Sequence, residues 1–283
     1  MSAIQKITEK HGEAILASAK LESEWPQQPG VAVLIAETDG SFVPVVETAE
    51  PGEGRSPKDR RKTRTLTWKE ARLSLAHEPG SVTPFFGATM GNVGEAGQQL
   101  RRCAMRAGAG CQTKFHCVGD GASWITDQVD LQFGTQARYL IDFFHLCEYL
   151  SAAGERIVGD EKQVWVNDKK EKLKDNRWQD VLESLAPFCE SDTVADSDAP
   201  VRSCHRYIRN RPDYLDYKNT LAERLPIGSG EIESAHRHVI QKRLKIAGAW
   251  WKIDNADKML ALRVLRANRD WSRYWNDFAQ KVA

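Results

Sequence analysis

Hydrophobic and polar positions alternate in two different rhythms along this 283-residue chain, and the changes of rhythm predict its elements. MSAIQKITEKHGEAILASAK mixes charged and small apolar residues at helical spacing, an amphipathic helix that PQQPG ends. GVAVLIAETDGSFVPVVE reads as two strands joined around Thr38-Asp39-Gly40-Ser41, since Asp-Gly between apolar runs is a hairpin signal. WKEARLSLAHE, 68–78, alternates as a third strand, and from Gly94 to Ala107 the residues Leu100, Cys103, Ala104 and Ala107 recur at helical spacing. KFHCVGDG then reads as a fourth strand, ASWITDQVDLQFG as a helix, and ARYLIDFFH as a fifth strand running into the helix LCEYLSAAGERI. The predicted order is βββαβαβα.

Beyond about residue 155 the pattern changes to polar helices rich in Lys, Glu and Trp, interrupted by the acidic ESDTVADSD at 190–198. A helix resumes from Ser229, and KMLALRVLRANRDWSRYW closes the chain with Leu260, Val264 and Ala267 at helical spacing. A meander of three strands followed by alternating helix and strand is the order of the ribonuclease H-like core. The expected class is therefore α/β, a mixed five-stranded sheet with an all-helical insertion before the last catalytic helix. The expected plan is an N-terminal helix at 1–30, the core at 31–155, the insertion at 156–225 and the resumed core at 226–283. Fold order alone licenses no function.

Composition narrows the class. A hydrophobic fraction of 41% supports a packed core, and 28% charged residues place it in water. No apolar run approaches the roughly 18 residues of a membrane span, and the N-terminus lacks the apolar segment of a secretory signal, so the expected location is cytoplasmic. The cysteines Cys103, Cys111, Cys117, Cys147, Cys189 and Cys204 form no CxxC pair, which points to reduced thiols. A zinc site built from His116, Cys117, His145 and Cys147 lacks the paired close spacings that such sites use.

A net charge of +1 argues against a nucleic-acid partner until its distribution is considered. RSPKDRRKTR, 55–64, holds six basic residues against one acid, including Arg60, Arg61, Lys62 and Arg64. RSCHRYIRNR, 202–211, and HRHVIQKRLK, 236–245, are also basic, the latter with Arg237, Lys242 and Arg243. A charge run is usually a solvated face; the alternative is a surface that tracks phosphates.

Carboxylates decide between these. Asp39 is expected at the end of the first strand and Asp120 where the fourth strand ends in VGDGAS, with Gly119 and Gly121 leaving the backbone free to turn. Each Asp-Gly pair alone is ordinary turn chemistry. Together at neighbouring strand ends, two carboxylates can hold a hard divalent cation that activates a water or sugar hydroxyl against a phosphodiester.

The combination of ETDGSFVPVV, GDGASWI, DFFHLCEYL and PIGSGEIES, in that order, resembles the Kra-type insertion-sequence transposases, a branch of the DDE superfamily related to the Mutator-like group. The resemblance runs from about residue 31 to 275. It implies Mg²⁺-dependent DNA strand cleavage and transfer, with Mn²⁺ as a substitute metal. The partners it implies are the element ends and target DNA, and the protein would act as a homo-oligomer on DNA. It puts the catalytic and metal-binding carboxylates on Asp39, Asp120 and a glutamate of GSGEIES. It also matches a C-or-D, two residues, His signature at Asp142 and His145, accessory candidates together with Glu231. Such transposases commonly carry further sequence before the core, and only about 30 residues precede the first strand here, which points to a shortened member. A catalytically inactive, domesticated DNA-binding descendant is the alternative, and a glycosidase built on paired carboxylates is disfavoured by the basic segments.

Helical geometry separates the two glutamates of GSGEIES. With Ser229 as cap, Glu231 falls in the first turn, where the helix dipole favours an exposed carboxylate. With Ile232 at zero and 100° per residue, Glu233 falls at about 100°, between Ile240 and Leu244, and Glu231 at about 260°, between His238 and Lys242. The expectation is a core-facing Glu233 that serves the metal. The motif of the transposases that the chain resembles, GSG, two residues, then Glu, also lands on Glu233.

Overall fold

The computed structural model describes residues 2–19, 24–48 and 64–282. Arg60, Arg61 and Lys62 of the basic run lie outside the described residues.

Helix α1 spans Ala3–Ala19. Strands β1 (Val33–Thr48), β2 (Arg64–His77) and β3 (Phe85–Thr89) follow, then α2 (Val93–Arg106), β4 (Lys114–Gly119), α3 (Ser123–Phe133), β5 (Ala137–Ile141) and α4 (Phe143–Val158). The helices α5 (Lys162–Lys174), α6 (Trp178–Leu185), α7 (Pro200–Arg209) and α8 (Tyr217–Ala222) make the region after 156 helical, as its periodicity predicts. The chain ends with α9 (Gly230–Ala235), a π-helical stretch at His236–Gln241, the single turn α10 (Lys242–Leu244), α11 (Ile253–Ala267) and α12 (Trp271–Val282). The protein is thus mixed α/β, with one five-stranded mixed sheet in the order β3-β2-β1-β4-β5. Among the described residues no helix is long and apolar enough to cross a membrane.

The predicted element order is met, but two errors cancel to give it. Asp39-Gly40 makes no hairpin: β1 runs through it for 16 residues, and Asp39 pairs with Leu73 and Gly40 with Arg72 of antiparallel β2. Gly40 is used for room. A Cβ there would collide with the Glu70 carboxylate, which folds over the strand to pair with Arg72. Asp39 is therefore a mid-strand residue rather than a strand-end one. The strand that the pattern omits is β3, whose central Gly87 lies against Gln99 and Cys103 of α2 and breaks the alternation.

The chain divides into two compact units. The first comprises 1–115, 130–136 and 230–283. In it, α2 covers one face of β1–β3, where Ser74 Oγ meets Thr38 Oγ1 at 2.9 Å and donates to Ala96 O at 3.2 Å. The odd-numbered residues of β1 and β2 face the other way, as strand alternation requires. Val43, Val45, Leu73 and Leu75 there form one core with Ile232, Ala235, Val239, Ile240, Leu244 and Leu260. At about 25 cal/mol per Å² of apolar surface, such a buried aliphatic side chain stabilises by about 2 kcal/mol.

The second unit comprises 116–129 and 137–229. Its core gathers Leu146 and Leu150 of α4, Leu173 of α5, Leu185 of α6, and Cys204 and Ile208 of α7, all fully or almost fully buried. Tyr217 of α8 is also fully buried and donates its hydroxyl to Ile141 O at 3.1 Å.

Candidate functional site

In the first unit, β1 grips the glutamate helix with two carboxylates on one face. Glu37 and Asp39 are two residues apart, so both point toward α9. Glu37, only 1% exposed, accepts from the backbone N–H of Ile232 at 2.9 Å. That amide is one of the donors left open by the first turn of a helix. The predicted Ser229 cap is therefore replaced by a carboxylate from a strand. One helical turn further, Asp39 Oδ2 lies 3.2 Å from His236 Nε2.

These two contacts bracket Glu233. His236, which Asp39 contacts, is its i+3 neighbour, a spacing that puts Cβ atoms about 5–6 Å apart. Glu233 itself is exposed rather than core-facing, which overturns the expected burial. The cause is the π stretch. A π-helix closes i→i+5, so it needs more residues per turn and each advances by less than 100°. Ile240 and Leu244, which bound Glu233 on an uninterrupted wheel, fall back toward the face of Ile232. The middle of the π stretch is supported from α11: the Arg263 guanidinium donates to His238 O, and to Val239 O at 3.3 Å.

Glu231 is also exposed and lies on the β2 side, its Oε2 2.6 Å from Nε2 of the buried His77. The two are within ion-pair distance but out of hydrogen-bond alignment. The other ring nitrogen of His77 meets Glu78 O at 2.8 Å. Glu231 also borders a cavity of about 630 Å³ lined by Phe85, Phe86, Ser234 and His238.

Sequence reasoning missed His236. It is 4% exposed, and neither ring nitrogen has an aligned hydrogen-bond partner. A buried polar group left in that state costs about 1–3 kcal/mol, so its retention beside a carboxylate calls for a reason. The one available signal was a histidine three residues after the motif glutamate.

In the second unit, Asp120 is half-buried just past β4, and its Oδ1 accepts from Ala122 N at 2.9 Å. Gly121 has φ of +79°, and a Cβ there would strike Ile141 and Arg211. The turn is held from three sides. Gly121 N donates to the Tyr139 hydroxyl at 3.1 Å, the Tyr207 hydroxyl donates to Asp120 O at 2.6 Å, and Arg211 donates to Gly121 O. Burial raises the pKa of both tyrosines, and the Asp120 charge adds to it, so both phenols stay protonated.

Asp142, 3% exposed, caps α4 and does more. Its Oδ1 accepts from Phe144 N at 2.6 Å and His145 N at 3.1 Å. Its Oδ2 accepts from Ser229 N at 2.8 Å and from the Ser229 hydroxyl. Both oxygens are thus occupied in tying PIGSG to α4. His145 is half-buried, its Nδ1 3.3 Å from Glu148 and its ring edge-on to Tyr149 and Tyr207.

The two basic runs within the described residues differ. Much of 202–211 is consumed internally: Arg202 and Arg206 both pair with Asp196, and Arg211 bonds to Gly121 O and Tyr207 O. Arg237, Lys242 and Arg243 are exposed on the helix that carries Glu233, with Arg243 over the Trp251 ring at 5.2 Å, and Arg64 is exposed at the start of β2. His116 and Cys147 of the zinc reading are buried. His116 Nε2 donates to Pro226 O at 2.7 Å, burial lowers the pKa of His116, and burial pushes the Cys147 thiol up to about 11. Among the described residues no three His, Cys, Asp or Glu side chains form a ready metal cluster.

An uncharacterised protein family, UPF0236, matches residues 107–275. No curated protein and no solved structure matches the chain.

Proposed function

The chain belongs to the uncharacterised protein family UPF0236, and we propose that it is a metal-dependent DNA transposase with a ribonuclease H-like core. The observation that carries this reading is the pairing of Asp39 with the glutamate helix: Glu37–Ile232 and Asp39–His236 hold β1 against the turn that bears Glu233. The sheet order β3-β2-β1-β4-β5 and the antiparallel β1–β2–β3 meander support the fold part of it.

The donor set suits Mg²⁺. Asp39 and Glu233 offer hard oxygens, and Mg²⁺ is ordinarily held by one or two carboxylates with the rest of its shell left to water and substrate phosphate, so a closed protein cage is not required. Asp39 and Glu233 of the first unit would hold the metal, and Asp120 is nominated by the resemblance alone, through its GDG motif. When bound, the metal supplies Lewis-acid stabilisation and an activated hydroxyl for in-line attack on a phosphodiester. Each protein group then has its own part. Asp39 and Glu233 fix negative charge on facing elements. Glu37 holds the start of the helix against β1. Arg237, Lys242 and Arg243 place positive charge along the same helix for a DNA backbone. The reaction begins with water cutting at an element end, and the released 3′-hydroxyl then attacks target DNA.

The direct test incubates the purified protein with supercoiled DNA in Mg²⁺, Mn²⁺ or EDTA. Nicking or joining in either metal and none in EDTA is expected; intact DNA in both metals across many sequences overturns the enzyme reading. DNA binding itself has a separate signature. Neutralising Arg237, Lys242 and Arg243 together is expected to weaken binding at all sequences. It should also flatten the log–log salt dependence by about 2 to 3 units if each contacts one phosphate. Filter binding from 50 to 200 mM salt reads the slope, and an unchanged slope makes the three an ordinary solvated face.

A further inference from the structure

The π stretch begins at His236, the residue that touches Asp39, and single π turns inside helices recur at functional sites. His236 is buried at 4% exposure, with Nε2 3.2 Å from Asp39 Oδ2 and both ring nitrogens lacking an aligned partner. Asp39 is itself about one-third exposed, so the contact joins a buried imidazole to an accessible carboxylate.

We propose that His236 is a positioning residue for Asp39, a role that rests on the metal-binding reading of that carboxylate. Its Nε2–H turns toward Oδ2 and fixes the carboxylate plane, which leaves Oδ1 directed away from the ring as the oxygen for a cation. The backbone supplies the placement: Glu37 pins the amide of Ile232, one turn before His236, and Arg263 bonds the carbonyls of His238 and Val239 just after it. His236 is thus held between two anchored points. A partner that orients a metal-binding side chain commonly changes metal affinity by about 10- to 100-fold when removed.

The test measures Mn²⁺ binding by electron paramagnetic resonance on the full chain without DNA, alongside thermal melting. Wild type is expected to bind Mn²⁺. His236→Asn, whose shorter amide cannot reach the position of Nε2, is expected to bind about tenfold more weakly. His236→Gln, whose amide nitrogen can occupy that position, is expected to recover most of the affinity. A structural role would move melting in both variants without separating their affinities. In an Asp39→Asn background the two substitutions at 236 should bind Mn²⁺ alike. Equal affinity of wild type and His236→Asn overturns the inference and leaves the metal reading standing. Absence of Mn²⁺ binding by wild type overturns both. Should His236→Asn fail to fold, His236→Gln decides: a Mn²⁺ affinity tenfold below wild type with unchanged melting refutes the geometry.

Discussion

On the proposed reading, Asp39→Asn and Glu233→Gln are each expected to reduce metal-dependent cleavage by about a thousandfold, because each would remove a charged metal ligand worth several kcal/mol at the transition state. Neither change alters side-chain volume much, so melting temperatures should stay within a few degrees of wild type. Glu231→Gln is the internal control. Glu231 lies in the first turn of α9 against His77, and losing its charge should cost about 0.3–1 kcal/mol of helix stabilisation and leave most of the cleavage. The comparison is made by single-turnover nicking at saturating metal. Reversal of the two glutamates moves the metal ligand to Glu231, beside the cavity it borders. Full activity in both would make the pair structural, and full activity in Asp39→Asn would remove that residue from the chemistry.

How much of this was legible in the sequence depends on the reach of each signal. Periodicity found α2, β4, β5 and the helical stretch after 156, because each buries one face at a fixed spacing. It failed at Asp39-Gly40, where local turn chemistry is outweighed by a two-strand register with β2, and the use of Gly40 as room for Glu70 is visible only across strands. It failed at β3 because five residues with a central glycine carry no alternation.

The carboxylates of the candidate site were legible as motifs, but their surroundings were not. A helical wheel assumes one angle per residue, and the π stretch breaks that assumption just past Glu233, so the expected burial of Glu233 did not follow. Glu37 and His236 are separated by 199 positions in sequence, and nothing local marks either as the other element's anchor. The basic run at 202–211 shows the same limit from the other side. Composition counts its arginines as phosphate contacts, while Asp196 and backbone carbonyls already occupy three of them.

Asp142 is where the structure changes the expected role most. The resemblance to transposases nominates it with His145 for the site, yet its two oxygens take four donors within the second unit: Phe144 N, His145 N, Ser229 N and the Ser229 hydroxyl. Asp142→Ala is therefore expected to lose the helix cap, about 1 kcal/mol, and to strand the buried donors of Ser229, about 1–3 kcal/mol. The total of about 3 kcal/mol corresponds to a fall in melting temperature of roughly 6–12 °C. Asp142→Asn should fall between, since its amide oxygen can serve one pair of donors while its NH₂ faces the other. Ser229→Ala, which removes one donor and leaves its partner oxygen still bonded to the backbone, should cost least. Urea unfolding measures the series, and cleavage assayed at 15 °C per folded molecule separates stability from chemistry. The clamp requires the order Ala, Asn, Ser229→Ala in stability loss with cleavage largely kept in the folded fraction. Unchanged stability together with lost cleavage would return Asp142 to the reacting site and make its hydrogen bonds to Ser229 incidental.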